Sequence, residues 1–191
     1  MKDSEKFYNA TMNKKTSALI QRFFLNKYNE KLPGNTAIDL GCGAGNDTMF
    51  LLEKGFKVIA IDQEEKVKDI IENKNLNKEN LKLIIDDFSK IEIPNTDLIL
   101  ANFSLFFVKA NFDTFIEKSL KSINLNGFFA GNFLGKEDEW NNVNTTINKE
   151  QLQSYFKDFK MLYFSEEKYY KDTSIGENKF WHVYTIIAQK N

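Results

Sequence analysis

The chain reads as an α/β protein with a mostly parallel, seven-stranded sheet that closes in an antiparallel hairpin. Three observations predict this. Apolar runs of strand length alternate with helical runs between residues 36 and 157, the pattern of strands joined by crossover helices. A buried-strand run from Ala37 to Leu40 breaks directly into three closely spaced glycines, Gly41, Gly43 and Gly45. Two long β-rich stretches, 159–170 and 179–189, close the chain around a turn at Gly176; so short a connection suits an antiparallel pair.

The elements follow in order. A first helix is expected from about Met12 to Asn29, with Ala18, Leu19, Phe23 and Phe24 on its apolar face and Pro33 and Gly34 ending it. Apolar strand-length runs and helical runs then give strand 36–40, helix 45–54, strand 56–61, helix 64–74, strand 81–85 and strand 97–102. Helix 111–124, strand 127–134 and a helix near 148–157 precede the hairpin. At 191 residues and 42% hydrophobic content the chain is expected to bury one core as a single domain, residues 1–191. Eighteen Phe and seven Tyr against two Pro point to an aromatic interior.

Charge narrows the partners. Twenty-six basic and 27 acidic residues are interspersed for a net charge of −1, so no broad basic face is available to track a phosphate backbone, and nucleic acid is disfavoured. The start, MKDSEKFYNATMNKK, lacks a signal-peptide core, and no run approaches 18 apolar residues. The expectation is a cytoplasmic protein without membrane contact, monomer or homodimer, with no metal site. The single cysteine, Cys42, permits no internal disulfide and suits a small buried side chain.

The stretch AIDLGCGAGNDT, from Ala37 to Thr48, carries the chemistry. Glycines let the backbone turn sharply and approach a ligand without a Cβ in the way. A dinucleotide fingerprint would place its third glycine at position 46, where this chain has Asn46, and a P-loop would need Gly-Lys-Ser or Gly-Lys-Thr. The loop holds no basic residue, which argues against a phosphate; Asp39 and Asp47 suit a ligand that is cationic or rich in hydroxyl and amino groups. The next strand ends in Asp62, followed by Gln63, where a sheet of this kind places an acid against ribose hydroxyls. The third ends in Asp86, Asp87 and Phe88.

Together these segments resemble the S-adenosylmethionine-dependent methyltransferases of the Rossmann-like class, over nearly the whole chain. The resemblance implies a three-layer Rossmann-like fold and S-adenosylmethionine as cofactor, released as S-adenosylhomocysteine. It also implies that Asp39, Gly41, Cys42, Gly43, Gly45 and Asn46 hold the methionine part. Asp62 and Gln63 would take the ribose, and Asp87 and Phe88 the adenine. DLILANFSLFFV, from Asp97 to Val108, matches the fourth strand and the loop where methyl group and acceptor meet, with Asn102 on the cofactor side. A narrower similarity, in NGFFAGNFLGKEDEW and KFWHVYTIIAQK, is to small bacterial methyltransferases of the tellurite-resistance type. By the same resemblance residues 1–35 form a helical cap, with Tyr8 to Lys15 folding over the cofactor as a lid.

Methyl transfer from a sulfonium is an in-line displacement, so alignment and exclusion of water matter more than a dedicated nucleophile. Phe103, Ser104, Phe107 and Trp140 are the candidates for the acceptor pocket. The stretch from Ala101 to Ser104 lacks the Pro-Pro-aromatic signature of enzymes that methylate exocyclic amines of bases. A small-molecule acceptor, a metalloid oxyanion among them, is the expectation. A protein or RNA methyltransferase and a cofactor-binding module without catalysis are the competing readings. Asp138 and Glu139 beside Trp140 allow a cationic acceptor or, equally, a helix start. His182, the only histidine, is read as structural rather than as a catalytic base.

Overall fold

The computed structural model describes residues 3–26, 32–74 and 78–191. Seven strands form one sheet in the order β3-β2-β1-β4-β5-β7-β6, with β1 Thr36–Leu40, β2 Lys57–Asp62, β3 Leu81–Ile85, β4 Thr96–Ala101, β5 Ile123–Leu134, β6 Phe159–Asp172 and β7 Asn178–Lys190. β1 to β5 pair in parallel, and β7 runs antiparallel to both of its neighbours. The helices are α1 Asp3–Thr11, α2 Ala18–Leu25, α3 Asn46–Glu53, α4 Lys66–Glu72, α5 Phe112–Ser122 and α6 Lys149–Tyr155. A 3-10 turn, Leu105–Phe107, follows β4. Among the described residues no helix is long and apolar enough to cross a membrane.

The central strands are apolar at successive positions because helices cover both faces. Phe128 and Phe129, neighbours on β5, point to opposite sides. Phe128 packs with Leu98, Leu100 and the apolar face of α2, Leu19, Ile20 and Phe23. Phe129 packs with Ile99 and with Phe115 and Leu120 of α5 and Phe156 after α6. Both rings are essentially fully buried, each such burial stabilising by roughly 1.5–3 kcal/mol.

The N-terminal region departs from the sequence reading. Of the helix expected over 12–29 only α2 is helical among the described residues: Ser17 caps it by accepting the Ile20 N–H, residues 12–17 turn between α1 and α2, and α1 lies before the expected span. α2 ends at Leu25; positions 27–29 of the expected helix lie outside the described residues. Strand β5 starts four residues before the expected 127. Ile123 pairs with Thr96, and the register then shifts before Phe128 pairs with Leu98, with Asn126 in the left-handed region at φ 64°. The other elements match the expected ones to within about two residues, as end fraying allows.

Asp97 ties three strands together at the N-terminal edge of the sheet. Its Oδ2 accepts from the Thr36 N–H at 2.9 Å and the Thr36 hydroxyl at 2.6 Å, and its Oδ1 accepts from Asn124 Nδ2 at 2.8 Å. Burial opposes its charge, but these hydrogen bonds prevail and hold the carboxyl below its ordinary range. Asp97→Ala is expected to cost roughly 2–4 kcal/mol in chemical denaturation, because buried donors lose their acceptor. A depressed acid pKa gives stability that is present above the unfolded-state value and lost as the pH falls through the folded one. The gap between wild type and variant should therefore close below about pH 4.

Candidate functional site

The chain leaves β1 toward β2 on one side and leaves β4 toward β5 on the other, so the sheet has its switch point between β1 and β4. Crevices form outside the carboxyl ends of strands at such a point. A cleft of about 820 Å³ opens there. β1 ends in a turn that Gly41 makes at φ +72°, and the Gly41 and Cys42 N–H groups both donate to the Ile61 carbonyl, at 2.8 and 3.0 Å. A Cβ on Gly41 would lie 2.5 Å from the Ser104 Cβ. Gly43, at φ +55°, donates its N–H to Asp62 Oδ2 at 2.9 Å, and a Cβ there would meet nothing closer than Phe7 at 3.7 Å. The open side of Gly43 faces the cleft.

Of the residues expected to hold the cofactor, all but one line this cleft: Asp39, Gly41, Cys42, Gly43, Asn46, Asp62, Gln63, Asp87, Phe88 and Asn102. Gly45 is the one that does not line it. It precedes α3 as its N-cap and a Cβ on it would strike Ile71 at 2.8 Å, so it faces α4 and shapes the loop. Cys42 is buried, and burial pushes its thiol well above the ordinary range, which leaves it an inert packing residue.

The floor of the cleft is acidic. Asp39 is buried and accepts from the Thr48 hydroxyl at 2.6 Å; burial and the nearby Asp47 carboxylate push its pKa up to about 7. Asp47 accepts from the Ser17 N–H at 2.6 Å and is also raised by burial, against that hydrogen bond. Asp62 accepts from Gly43, from the Glu64 N–H at 3.1 Å and from the Tyr8 hydroxyl at 3.1 Å. At the far end Asp87 is held by Ser89, whose hydroxyl donates at 2.6 Å, and by Lys90 at 3.1 Å, which lower its pKa. Phe88 packs on Phe115 with ring centroids 5.6 Å apart.

Helix α1 and the turn after it lie across the cleft, where Phe7, Tyr8, Thr11, Lys14 and Lys15 line it. Burial and the Asp62 carboxylate push the Tyr8 hydroxyl pKa up, so it stays protonated and donates. Asn46 Nδ2 donates to the Thr11 carbonyl at 2.8 Å and Lys74 Nζ to the Met12 carbonyl at 3.2 Å. On the opposite rim Lys14 Nζ reaches Ser174 at the tip of the β6–β7 hairpin, at 3.3 Å.

The acceptor candidates Phe103, Ser104, Phe107 and Trp140 also line the cleft. Phe103 sits at φ 52°, a conformation that costs a bulky residue on the order of 1–3 kcal/mol and collects at functional sites. Its ring meets Trp181 edge-on at 5.6 Å. The buried Ser104 hydroxyl has no hydrogen-bond partner among the described residues. Trp140 contacts Phe106 at 5.9 Å and Trp181 at 5.4 Å. Neither acid beside Trp140 is among the residues that line the cleft: Asp138 pairs with Lys179 and accepts from the Trp140 and His182 N–H groups, and Glu139 accepts from the Phe180 N–H. No helix starts there either. His182 is buried outside the cleft. Its Nδ1 accepts from the Glu137 N–H at 3.2 Å, which leaves Nε2 to carry the proton toward Glu166 at 3.1 Å.

Sequence reasoning missed Trp181 and Tyr169 as lining residues. The alternation along β7 places Trp181 on one face with Lys179 and Val183, but only the fold brings that face to the end of β4.

A family model for the tellurite resistance protein TehB matches residues 25–177. The crystal structure of TehB from Haemophilus influenzae is similar, with a TM-score of 0.72 at 20% identity over 91% of this chain and 61% of that one. A cypemycin N-terminal methyltransferase from a Streptomyces species is 32% identical over 78 residues, 40% of this chain and 31% of that protein. An rRNA adenine N-6-methyltransferase from Bacillus licheniformis is 32% identical over 68 residues, 36% of this chain and 24% of that protein. The match thus spans less than a third of the length of each of these two relatives.

Two outcomes are expected at the loop. Gly43→Val should lower cofactor affinity at least tenfold by calorimetry while the thermal transition moves little, and Gly41→Val should instead destabilise the fold, since its side chain meets Ser104. For Asp39, the raised acid pKa means that the folded state binds a proton the unfolded chain has lost between about pH 4 and pH 7, so stability falls across that window. Asp39→Asn keeps an acceptor for Thr48. It should match wild type near pH 4 and exceed it at pH 8 in urea denaturation.

Proposed function

The chain belongs to the TehB tellurite-resistance family, and on that premise we propose that it is an S-adenosylmethionine-dependent methyltransferase acting on a small-molecule acceptor, a metalloid oxyanion among the candidates. The observation that carries this reading is the carboxylate group under the glycine loop. Asp39, Asp47 and Asp62 share the cleft floor beside a loop with no basic residue, and burial with mutual repulsion raises Asp39 toward neutrality. A ligand bearing a sulfonium and an α-ammonium supplies the positive charge this floor lacks, where a phosphate would be repelled.

When bound, the cofactor supplies an electrophilic methyl carbon. The chain's residues then have four tasks. The backbone at Gly43 allows close approach. Asp62, oriented by the Gly43 and Glu64 N–H groups, would accept from the ribose diol, and Phe88 and Asp87 would hold the adenine by its face and its amino edge. The strained Asn102-Phe103-Ser104 turn and the aromatic wall present the acceptor atom in line with the carbon–sulfur bond. α1 and the hairpin tip exclude water.

An RNA acceptor has less support, despite the short match to rRNA adenine methyltransferases: the charges are balanced and the post-β4 stretch lacks the base-methylating signature. The test is release of S-adenosylhomocysteine from methyl-labelled S-adenosylmethionine in the presence of tellurite, selenite or total RNA. Product formation with a small oxyanion, lost in Gly43→Val, is expected. Label entering RNA alone would replace the acceptor class, and cofactor binding without product from any acceptor would favour a binding module.

A further inference from the structure

Beneath the aromatic wall lies a lysine that the proposed reaction does not use. Lys179, at the start of β7, and Asp138, in the turn after β5, form an ion pair whose side chains are 2% and 0% exposed. The Lys179 ammonium also lies 3.8 Å from the centroid of the Trp181 ring and 4.3 Å from that of Trp140. Both indoles line the cleft. This is the geometry of an aromatic cage for an ammonium ligand, with the cage filled by the protein itself.

Stability alone gives little reason for such a pair, because a buried ion pair is often replaceable by packed apolar side chains at no loss. Its placement gives another. Asp138 accepts from the Trp140 N–H at 2.9 Å and from the His182 N–H at 3.0 Å, so one carboxylate joins the turn that carries Trp140 to the strand that carries Trp181. Trp181 is fixed a second time by its indole N–H, which donates to the Lys171 carbonyl at 2.9 Å. The ammonium then holds the two rings at a centroid distance of 5.4 Å.

We propose that Lys179 is a positioning and specificity-determining residue: its ammonium occupies the Trp140–Trp181 cage, fixes that wall of the acceptor pocket and turns cationic acceptors away. A second cation at these rings would find one face of each already engaged and a like charge close behind it. Neutral and anionic acceptors meet no such penalty. The assignment of these rings to an acceptor pocket rests on the proposed methyltransferase function; the occupancy of the cage does not.

Trp140 and Trp181 are the chain's two tryptophans, so fluorescence excited selectively at tryptophan reports on this wall alone. Lys179→Gln keeps a donor for Asp138 and removes the cation. The variant is expected to show about twofold or greater acrylamide quenching and an emission change on adding tetramethylammonium chloride that wild type lacks. S-adenosylhomocysteine affinity by calorimetry should stay within about twofold of wild type, because the cage lies beyond the cofactor loop. Lys179→Arg should restore exclusion of tetramethylammonium. Wild-type quenching and no tetramethylammonium response in a folded Lys179→Gln variant would overturn the proposal. So would a tetramethylammonium response in wild type, a measurement that needs no variant to fold. Failure of wild type to bind S-adenosylhomocysteine would sink the methyltransferase reading and leave the fluorescence result standing.

Discussion

The whole site depends on how the backbone leaves β1. That strand is walled by β2 and β4 and covered on both faces, so the chain emerging from it cannot drift; its N–H groups must find partners within one or two residues. The Ile61 carbonyl takes two of them, from Gly41 and Cys42, and the Asp62 side chain takes a third, from Gly43. The end of β2 is thereby the template on which the loop is folded. Asp62 is both a structural acceptor for the loop and a candidate ligand for the cofactor, so the loop cannot take its shape without aiming that carboxylate.

Much of this was readable from local pattern. Strands β1 to β4 are short apolar runs bounded by turn residues, and Asp62 and Asp87 stand where two of them end, so spacing alone placed both acids on one edge. The orientation of Gly45 was not legible, because a glycine open to a ligand and a glycine against a helix look alike in sequence; only Ile71 distinguishes them. The break at Ser17 was hidden because residues 12 to 29 hold no Pro or Gly. It depends on Asp47, thirty residues on, which accepts the Ser17 N–H. The Lys179 cage was illegible for the same reason, since its four members come from two segments about 40 residues apart.

The cleft thus has two halves of opposite character. One is a floor of carboxylates at the ends of β1 and β2, kept under charge repulsion. The other is an aromatic wall from the ends of β4, β5 and β7, where the buried charges of Lys179 and Asp138 are already paired. The strained Phe103 sits at the seam, joined to Trp181 on one side and followed by the unpartnered Ser104 on the other. Electrostatics can select what enters the first half, while shape and polarisability select in the second.

The strand order carries a consequence for assembly. β7 follows β6 in the chain but lies inside it, bonded to β5 on one edge and to β6 on the other. As the chain emerges from a ribosome, β1 to β5 can pair as they appear, completing the half of the sheet that bears the glycine loop and its acids. β6 has no partner until β7 arrives to separate it from β5. Trp181 and Lys179 therefore join last. A nascent chain would possess the acidic half of the cleft before the aromatic half was complete.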